Sequence, residues 1–201
     1  MNTSEFLNIT SLIVPDRVAV VFDGKRFTYA KLAERVNKLA NALAALGIGK
    51  GDRIATIQVN CNEHIEAYFA AAKLDALYVP LNFRSTQEEI EYVLKDSSPS
   101  VLFSGMRYTE MIDQMSTQRD GLDNFIVLDG LVNGWLSYGD LIDSANSEER
   151  LPESDYDDLA MLMFTAGTTG NPKGVMLSHG SLSSYILSNV TPVNLEHEEK
   201  N

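Results

Sequence analysis

Short apolar runs alternate with amphipathic stretches along most of the chain. The apolar runs predict strands at residues 53–59, 78–81, 101–103 and 125–128, and the stretches between them predict helices at 63–74, 86–94 and 106–115. A capping box that starts at Thr86 opens the second of these helices. Strands that alternate with helices are typical of βαβ units. The pattern therefore predicts an α/β fold in which βαβ layers form a largely parallel sheet flanked by helices.

A predicted hairpin and a long helix precede these units. Residues 18–22 and 25–29 flank an Asp-Gly pair that tolerates the positive φ of a tight turn, so they predict two antiparallel strands. Thr28 suits the N-cap of the helix that follows. Apolar side chains recur on one face of this helix, at Leu32, Val36, Leu39, Leu43 and Leu46. Such a stripe is usually core packing, and a partner-binding face is the alternative.

Two apolar runs near the end of the chain, Ala160–Phe164 and Val175–Leu177, predict buried strands joined by a flexible connection. The connection consists of Thr165, Ala166, Gly167, Thr168, Thr169, Gly170, Asn171, Pro172, Lys173 and Gly174. Its glycines let backbone N–H groups approach an anion closely, its threonines offer hydroxyl donors, and Lys173 supplies a positive charge. This composition indicates a site for a polyphosphate.

The connection follows neither of two well-known phosphate-binding patterns. A Walker A loop has Gly-Lys-Ser/Thr five residues after its first Gly, whereas here Pro172 stands five residues after Gly167 and Val175 five after Gly170. The glycine spacing also fails the GxGxxG dinucleotide fingerprint. An ordinary Gly-rich turn is the alternative, although so many glycine, proline and lysine residues at fixed places are rare by chance.

The run from Thr165 to Gly174, followed by Val175-Met-Leu-Ser-His179, resembles the phosphate-loop signature of the adenylate-forming superfamily, which includes the acyl- and aryl-CoA synthetases. Ala166 departs from that signature, because the family usually has Ser or Thr there. Upstream segments are similar to the N-terminal part of an acyl-CoA synthetase large domain, at residues 28–47, 51–53, 67–80 and 81–96. Asp75 departs as well, since Gly is common at that helix end in the family.

The resemblance implies an enzyme that joins a carboxylic acid, with a fatty acid favoured, to ATP as an acyl-adenylate and then transfers the acyl group to coenzyme A. It implies that the amides of Gly167–Gly170 hold the β- and γ-phosphates with help from Thr168 and Thr169. Lys173 would neutralise charge, Pro172 would limit the freedom of the loop, and Thr165 would lie nearest Mg²⁺.

The family's adenine, ribose and C-terminal lysine segments have no counterpart in this sequence. The resemblance therefore implies an N-terminal fragment that holds no catalytic residue of its own and works with a missing C-terminal part of its own chain. Two other functions stay open: a peptide-synthetase-type adenylation domain, and a module that binds ATP or a protein partner without catalysis. His179 is a candidate catalytic base without a visible Ser or Asp partner, so a packed or surface histidine is favoured there, and still more at His64 on its predicted helix.

Charge and composition narrow the choice further. The net charge of −12 argues against nucleic acid as a partner, because its phosphates need basic patches. Salt screens charges that lie more than about 8 Å apart, so a phosphate site must be built from groups close to the phosphates. A single cysteine, Cys61, favours a reducing cytoplasm. The N-terminus does not resemble a signal peptide, and no apolar stretch is long enough to predict a transmembrane segment.

An acidic stretch divides the chain into predicted parts. Residues 1–143 form an N-terminal α/β subdomain, residues 144–158 an acidic linker, and residues 159–201 the phosphate-loop hairpin and the start of the next subdomain. The linker carries six carboxylates against one arginine, Arg150. We expect it to be solvated, because its acidic residues lack the regular spacing of metal ligands.

Overall fold

A seven-stranded sheet with helices on both faces organises the chain in the computed structural model, which describes residues 1–115, 122–167 and 170–190. The helices are α1 (Ser4–Ile13), α2 (Tyr29–Ala45), α3 (Asn62–Lys73), α4 (Gln87–Ser97), α5 (Met106–Gln114), α6 (Tyr138–Ser144) and α7 (His179–Asn189). The strands are β1 (Val18–Phe22), β2 (Lys25–Thr28), β3 (Arg53–Ile57), β4 (Leu77–Pro80), β5 (Val101–Ser104), β6 (Asn124–Val127), β7 (Leu136–Ser137), β8 (Leu159–Gly167) and β9 (Gly170–Ser178).

The strand order in the large sheet is β7-β6-β5-β3-β4-β8-β9. Every neighbouring pair is parallel except β8 and β9, which form an antiparallel hairpin at one edge. Strands β1 and β2 form a separate antiparallel pair. The predicted α/β fold with a largely parallel sheet is confirmed, and the hairpin joins that same sheet through β4.

Alternate residues of the central strands enter two different cores, because successive side chains of a strand point to opposite faces. Ile54 packs in one core with residues of α2, α3 and α6. Ala55 packs in the other core with residues of α4 and α5. The sheet is therefore covered on both sides, as parallel sheets usually are.

Helix α2 forms as its sequence predicts. The side chain of Thr28 accepts a hydrogen bond from the backbone N–H of Lys31 and so caps the first turn. The apolar face is buried at four of its five predicted positions, Leu32, Val36, Leu39 and Leu43. Leu32 and Val36 pack in a small cluster with Leu7 of α1, and Leu46 packs against the core that contains Leu39 and Leu43. This face is core packing, as favoured. The capping box at Thr86 is present as well, with both of its hydrogen bonds formed.

Three elements were not predicted: α1, β7 and α6. Helix α1 keeps several large apolar side chains exposed, Leu12 among them, so its apolar positions do not correspond to one buried face. Strand β7 is two residues long, below the length at which an apolar alternation is recognisable. Within the described ranges, no helix is both long enough and apolar enough to cross a bilayer.

The acidic segment 144–158 is mostly exposed, yet its backbone is tied to the helices beside it. The side-chain amide of Asn41 on α2 donates to the carbonyl oxygens of Asn146 and Glu148, at 3.1 and 2.9 Å. The buried ammonium of Lys73 donates to the carbonyl oxygen of Arg150 at 3.3 Å. Strand β8 follows this segment and pairs with β4, so the parts on either side of the segment share one sheet. The division into subdomains at residues 143 and 158 stays a prediction.

A buried ion pair joins α2, α3 and α6. The carboxylate of Glu66, fully buried, accepts hydrogen bonds from Arg35 Nε at 2.9 and 3.0 Å, from Asn62 Nδ2 at 2.7 Å, and from the Tyr138 hydroxyl. Burial, followed by the charge of Glu66, raises the pKa of Tyr138 far above its usual value, so the phenol stays a donor. Each lone pair that burial removes from water is thus given a protein partner.

We expect Glu66→Gln to lower the free energy of unfolding by about 3 kcal/mol, because it leaves the Arg35 guanidinium, which is only 19% exposed, without its counter-charge. The control is Glu34→Gln, which breaks the exposed pair with Lys31 and should cost less than about 1 kcal/mol. Urea unfolding of both variants measures the difference. Equal losses in the two variants would show that the buried pair has no special role.

Candidate functional site

The glycine-rich connection is shorter than its sequence predicts, because both flanking strands extend into it. Strand β8 continues to Gly167 and β9 begins at Gly170, so only residues 168 and 169 lie between them. Thr165 is paired directly with Lys173 across the ladder. The glycine and threonine residues of this stretch lack the alternation of apolar and polar positions that predicts a strand. The antiparallel partner supplies the hydrogen bonds that hold these residues extended.

The structure places most of the predicted phosphate-site residues on this hairpin. Ala166, Gly167 and Gly170 belong to the two strands by their backbone, and Asn171, Pro172, Lys173 and Gly174 follow along β9. Thr168 and Thr169 lie outside the described residues. Their predicted contacts with phosphate, like those of the other residues in the stretch, stay predictions.

Lys173 and Thr165 present their polar groups on an exposed part of the hairpin. The Thr165 hydroxyl lies 3.5 Å from the carbonyl oxygen of Lys173, a long contact that leaves the hydroxyl oxygen available to another partner. Among the described residues, no carboxylate forms an ion pair with the Lys173 ammonium. Thr165 and Lys173 are thus neighbours across the ladder, and no carboxylate of the described residues neutralises the Lys173 ammonium.

A small cavity of about 70 Å³ opens beside this pair of residues. Its walls come from the end of β4, the first turns of α4 and the hairpin: Pro80, Leu81, Asn82, Ser85, Glu89, Ile90, Val93, Phe164, Thr165 and Pro172. The carboxylate of Glu89 is occupied by the capping box, where it accepts the Thr86 N–H at 2.8 Å. The Glu89 carboxylate in the cavity wall is therefore held at the N-terminus of α4.

The base of the hairpin contains the second candidate, His179. Its imidazole is 1% exposed, and Nδ1 accepts a hydrogen bond from the backbone N–H of Thr3 at 3.1 Å. Burial lowers the pKa of His179 below its usual value of 6.5, while Asp158 and Asp75 act weakly in the opposite direction. A ring enclosed in this way is shielded from solvent. Of the two favoured alternatives, packed or surface, the structure shows the packed histidine.

His64 has a packing role as well. Its Nδ1 lies 2.7 Å from the Tyr78 hydroxyl, and its Nε2 lies 3.1 Å from the carbonyl oxygen of Gln58. Cys61 is equally inert, because burial raises the pKa of its thiol to about 12. Among the described residues, no group of three or more His, Cys, Asp or Glu side chains could hold a metal ion by itself.

Asp75, which departs from the family pattern, has a structural role that the sequence did not reveal. Its φ of 55° lies in the left-handed region that glycine favours, so the position explains why Gly is common there. The Asp75 carboxylate accepts the backbone N–H of Ser154 at 2.8 Å and that of Glu153 at 2.9 Å. It therefore ties the acidic segment to the end of α3, just ahead of the hairpin.

Comparisons with known proteins identify the family of the chain. The sequence matches the AMP-binding enzyme family over residues 13–200. The indoleacetate–CoA ligase of Aromatoleum aromaticum is 35% identical over 186 residues, which cover 91% of this chain and 36% of that protein. The long-chain-fatty-acid–CoA ligase FadD13 of Mycobacterium tuberculosis is 34% identical over 178 residues, which cover 87% of this chain and 34% of FadD13.

A solved structure shows the same fold. The anthranilate CoA ligase AuaEII, crystallised with anthranoyl-AMP, is 25% identical and superposes with a TM-score of 0.86 over 90% of this chain and 35% of its own. The chain therefore belongs to the AMP-binding enzyme family, and its fold is that of the N-terminal part of adenylate-forming enzymes. It spans about a third of the length of the curated relatives that it matches.

We expect Asp75→Gly to be less destabilising than Asp75→Ala, by about 1 kcal/mol in urea unfolding. Both variants lose the hydrogen bonds to residues 153 and 154. The left-handed backbone at this position is strained for alanine and unstrained for glycine.

Asp75→Asn is the matched control, since asparagine tolerates that backbone and retains an acceptor oxygen. Trypsin should cut after Arg150 faster in the Gly and Ala variants than in the Asn variant. Equal stability of the Gly and Ala variants would remove the backbone explanation.

Proposed function

We propose that this chain carries the triphosphate-binding hairpin of an ATP-dependent acid–CoA ligase. The observation that carries the proposal is the cross-strand register of Thr165 with Lys173 in a glycine-rich hairpin. Among the described residues, no carboxylate forms an ion pair with the Lys173 ammonium. Membership of the AMP-binding family and the CoA-ligase relatives support it. The complete enzyme would activate a carboxylic acid as an acyl-adenylate and pass the acyl group to coenzyme A.

The residues present fit a triphosphate and a magnesium ion. The exposed Lys173 ammonium offers a positive charge for phosphate oxygens, and backbone N–H groups at Gly167 and Gly170 would donate to them. The Thr165 hydroxyl is a hard oxygen ligand of the kind that Mg²⁺ takes, with phosphate oxygens and water completing its shell. A bound Mg²⁺ would supply charge neutralisation at the leaving pyrophosphate.

The hairpin acts by holding donors in place before the reaction starts. As the acid carboxylate attacks the α-phosphorus, negative charge grows on the departing pyrophosphate. A lysine and amides that are already aimed at those oxygens lower the barrier, because they need not reorganise as the charge develops. The protein's net charge of −12 makes this local arrangement necessary, since the overall field repels ATP.

The acid itself is assigned only as a class. The relatives named above act on acids as different as indoleacetate and long-chain fatty acids, and the AuaEII structure holds an aromatic adenylate. A fatty acid is our more specific proposal, supported by the FadD13 relative. A cytoplasmic location and the use of coenzyme A as acceptor belong to the same proposal.

In the complete enzyme, Lys173→Ala should slow acid-dependent pyrophosphate exchange by about 10²-fold or more, the usual loss for one donor to a developing anion. The KM for the acid should change little, because Lys173 contacts phosphate rather than the acid. Exchange of labelled pyrophosphate into ATP measures the rate.

Lys25→Ala is the matched control, since Lys25 is another exposed strand lysine, on β2. It should keep the parental rate. An unchanged exchange rate in Lys173→Ala would contradict the assigned role of this lysine.

A further inference from the structure

The first residues of the chain are buried against the base of the phosphate-loop hairpin, which is unusual for a polar terminus. Asn2, Thr3 and His179 are 1%, 2% and 1% exposed. Asn2 Nδ2 donates to the carbonyl oxygen of Ala72 at 3.0 Å and to the Ser154 hydroxyl at 2.7 Å. Residues from both ends of the sequence thus meet at one place.

His179 stands at the centre of these contacts and has a defined tautomer. The backbone N–H of Thr3 can only donate, so the His179 Nδ1 that lies 3.1 Å away accepts and carries no proton. The Thr3 hydroxyl lies 3.0 Å from the same Nδ1 and accepts a hydrogen bond from the Tyr68 hydroxyl at 2.7 Å. The neutral imidazole therefore carries its proton on Nε2, which can donate to the Ser154 hydroxyl at 3.5 Å. The Asn2 Nδ2 atom, 3.3 Å from Nε2, is also a donor and packs against the ring without a hydrogen bond to it.

The imidazole also completes the start of α1. The first N–H groups of a helix have no partner inside it, and the ring nitrogen accepts one of them, that of Thr3. The positive end of the helix dipole disfavours a second positive charge at this point. The neutral ring is thus the form that the surrounding backbone selects.

The same residue closes the hairpin. His179 directly follows β9, and its backbone N–H donates to the carbonyl oxygen of Asp158, just before β8, at 2.9 Å. The next amide, of Gly180, donates to the carbonyl oxygen of Tyr156 at 2.7 Å. A Cβ at Gly180 would lie 2.4 Å from the Tyr156 ring, so the two segments are in close contact. Lys173 lies about 20 Å further along the same strand.

We propose that His179 is a positioning residue: its neutral ring, held by the backbone of Thr3 and enclosed by Asn2, fixes the base of the β8–β9 hairpin and so sets where Lys173 and Thr165 stand. The role in nucleotide placement rests on the proposed function. The anchoring of the hairpin does not. Here the set of Asn2, Thr3, Ser154 and His179 is called the clasp.

The clasp is sensitive to protonation. The charged groups that face His179 are the carboxylates of Asp158 and Asp75, which favour the imidazolium, and the amino group of Met1, which opposes it. Burial is the largest influence, and the pKa of His179 lies below 6.5 as a result. The unfolded chain then binds a proton more readily than the folded chain. The stabilisation is complete above about pH 6.5 and is lost as the pH falls through the lowered pKa.

Thr3→Pro tests the clasp directly. Proline removes the N–H and the hydroxyl together, and the φ of −66° at Thr3 already suits its ring. We expect backbone amides of β8 and β9 to exchange with deuterium at least tenfold faster in this variant at pH 7.5, while amides of β3 and β5 stay protected. Thr3→Ser keeps both groups and should exchange as the parent does. Unchanged exchange in β8 and β9 of Thr3→Pro would overturn the proposal.

A second measurement needs no variant that might fold poorly. Nitrogen-15 NMR of the unmodified chain at pH 7.5 should show Nδ1 of His179 without a proton and Nε2 with one. Protection of β8 and β9, corrected for intrinsic exchange rates, should fall below about pH 6.5, and His179→Gln should abolish that pH dependence. Protonated Nδ1 at pH 7.5, or protection that does not change with pH, would overturn the proposal.

The two proposals fail separately. In the complete enzyme, Thr3→Pro should raise the KM for ATP several-fold and leave the KM for the acid unchanged. If the parent enzyme does not bind Mg²⁺–ATP at all, the proposed function is wrong, while the exchange data still decide whether the clasp anchors the hairpin. If ATP binds and its KM is the same in Thr3→Pro as in Thr3→Ser, the positioning role is wrong and the proposed function stands.

Discussion

The parallel pairing of β8 with β4 is the constraint on which the rest of the candidate site depends. Tyr78 and Met161 are register partners, and this contact joins the hairpin to a sheet that is otherwise built from residues 53–137. The sheet supports the hairpin along one side, and the acidic segment and residues 1–4 hold its base. The end that carries Thr165 and Lys173 is left accessible, as a site for a soluble ligand must be.

The charged side chains differ in the same way between the buried interior and the accessible end of the hairpin. The buried charges have partners: Glu66 is satisfied by Arg35, Asn62 and Tyr138, and Lys73 by Asn8 and the backbone of the acidic segment. In the described part of the chain, Lys173 stands at the accessible end without an acidic partner. In the function that we propose, this lysine beside glycines and a threonine supplies a local positive charge for an anion, against the overall repulsion of a chain with net charge −12.

Local signals in the sequence were enough to predict most helices, most strands and the caps at Thr28 and Thr86, because these depend on neighbours within a few residues. A packed or surface position for His179 was favoured on general grounds, but its partners were not foreseeable. Thr3 and His179 are 176 positions apart, and nothing in the polarity of residues 1–3 indicates burial. The extension of β8 and β9 into the glycine-rich stretch was missed for a related reason: the pairing partner, rather than intrinsic propensity, keeps these residues extended.

The most direct measurement of nucleotide contact is a titration of the nitrogen-15-labelled chain with Mg²⁺–ATP, followed through its backbone amide shifts. The amides of Gly167, Gly170, Asn171, Lys173 and Gly174 should show the largest changes and should saturate together, while amides of α2 and β5 stay in place. Saturable changes confined to other parts of the chain, with these five amides unmoved, would contradict the assignment of the hairpin as a triphosphate site.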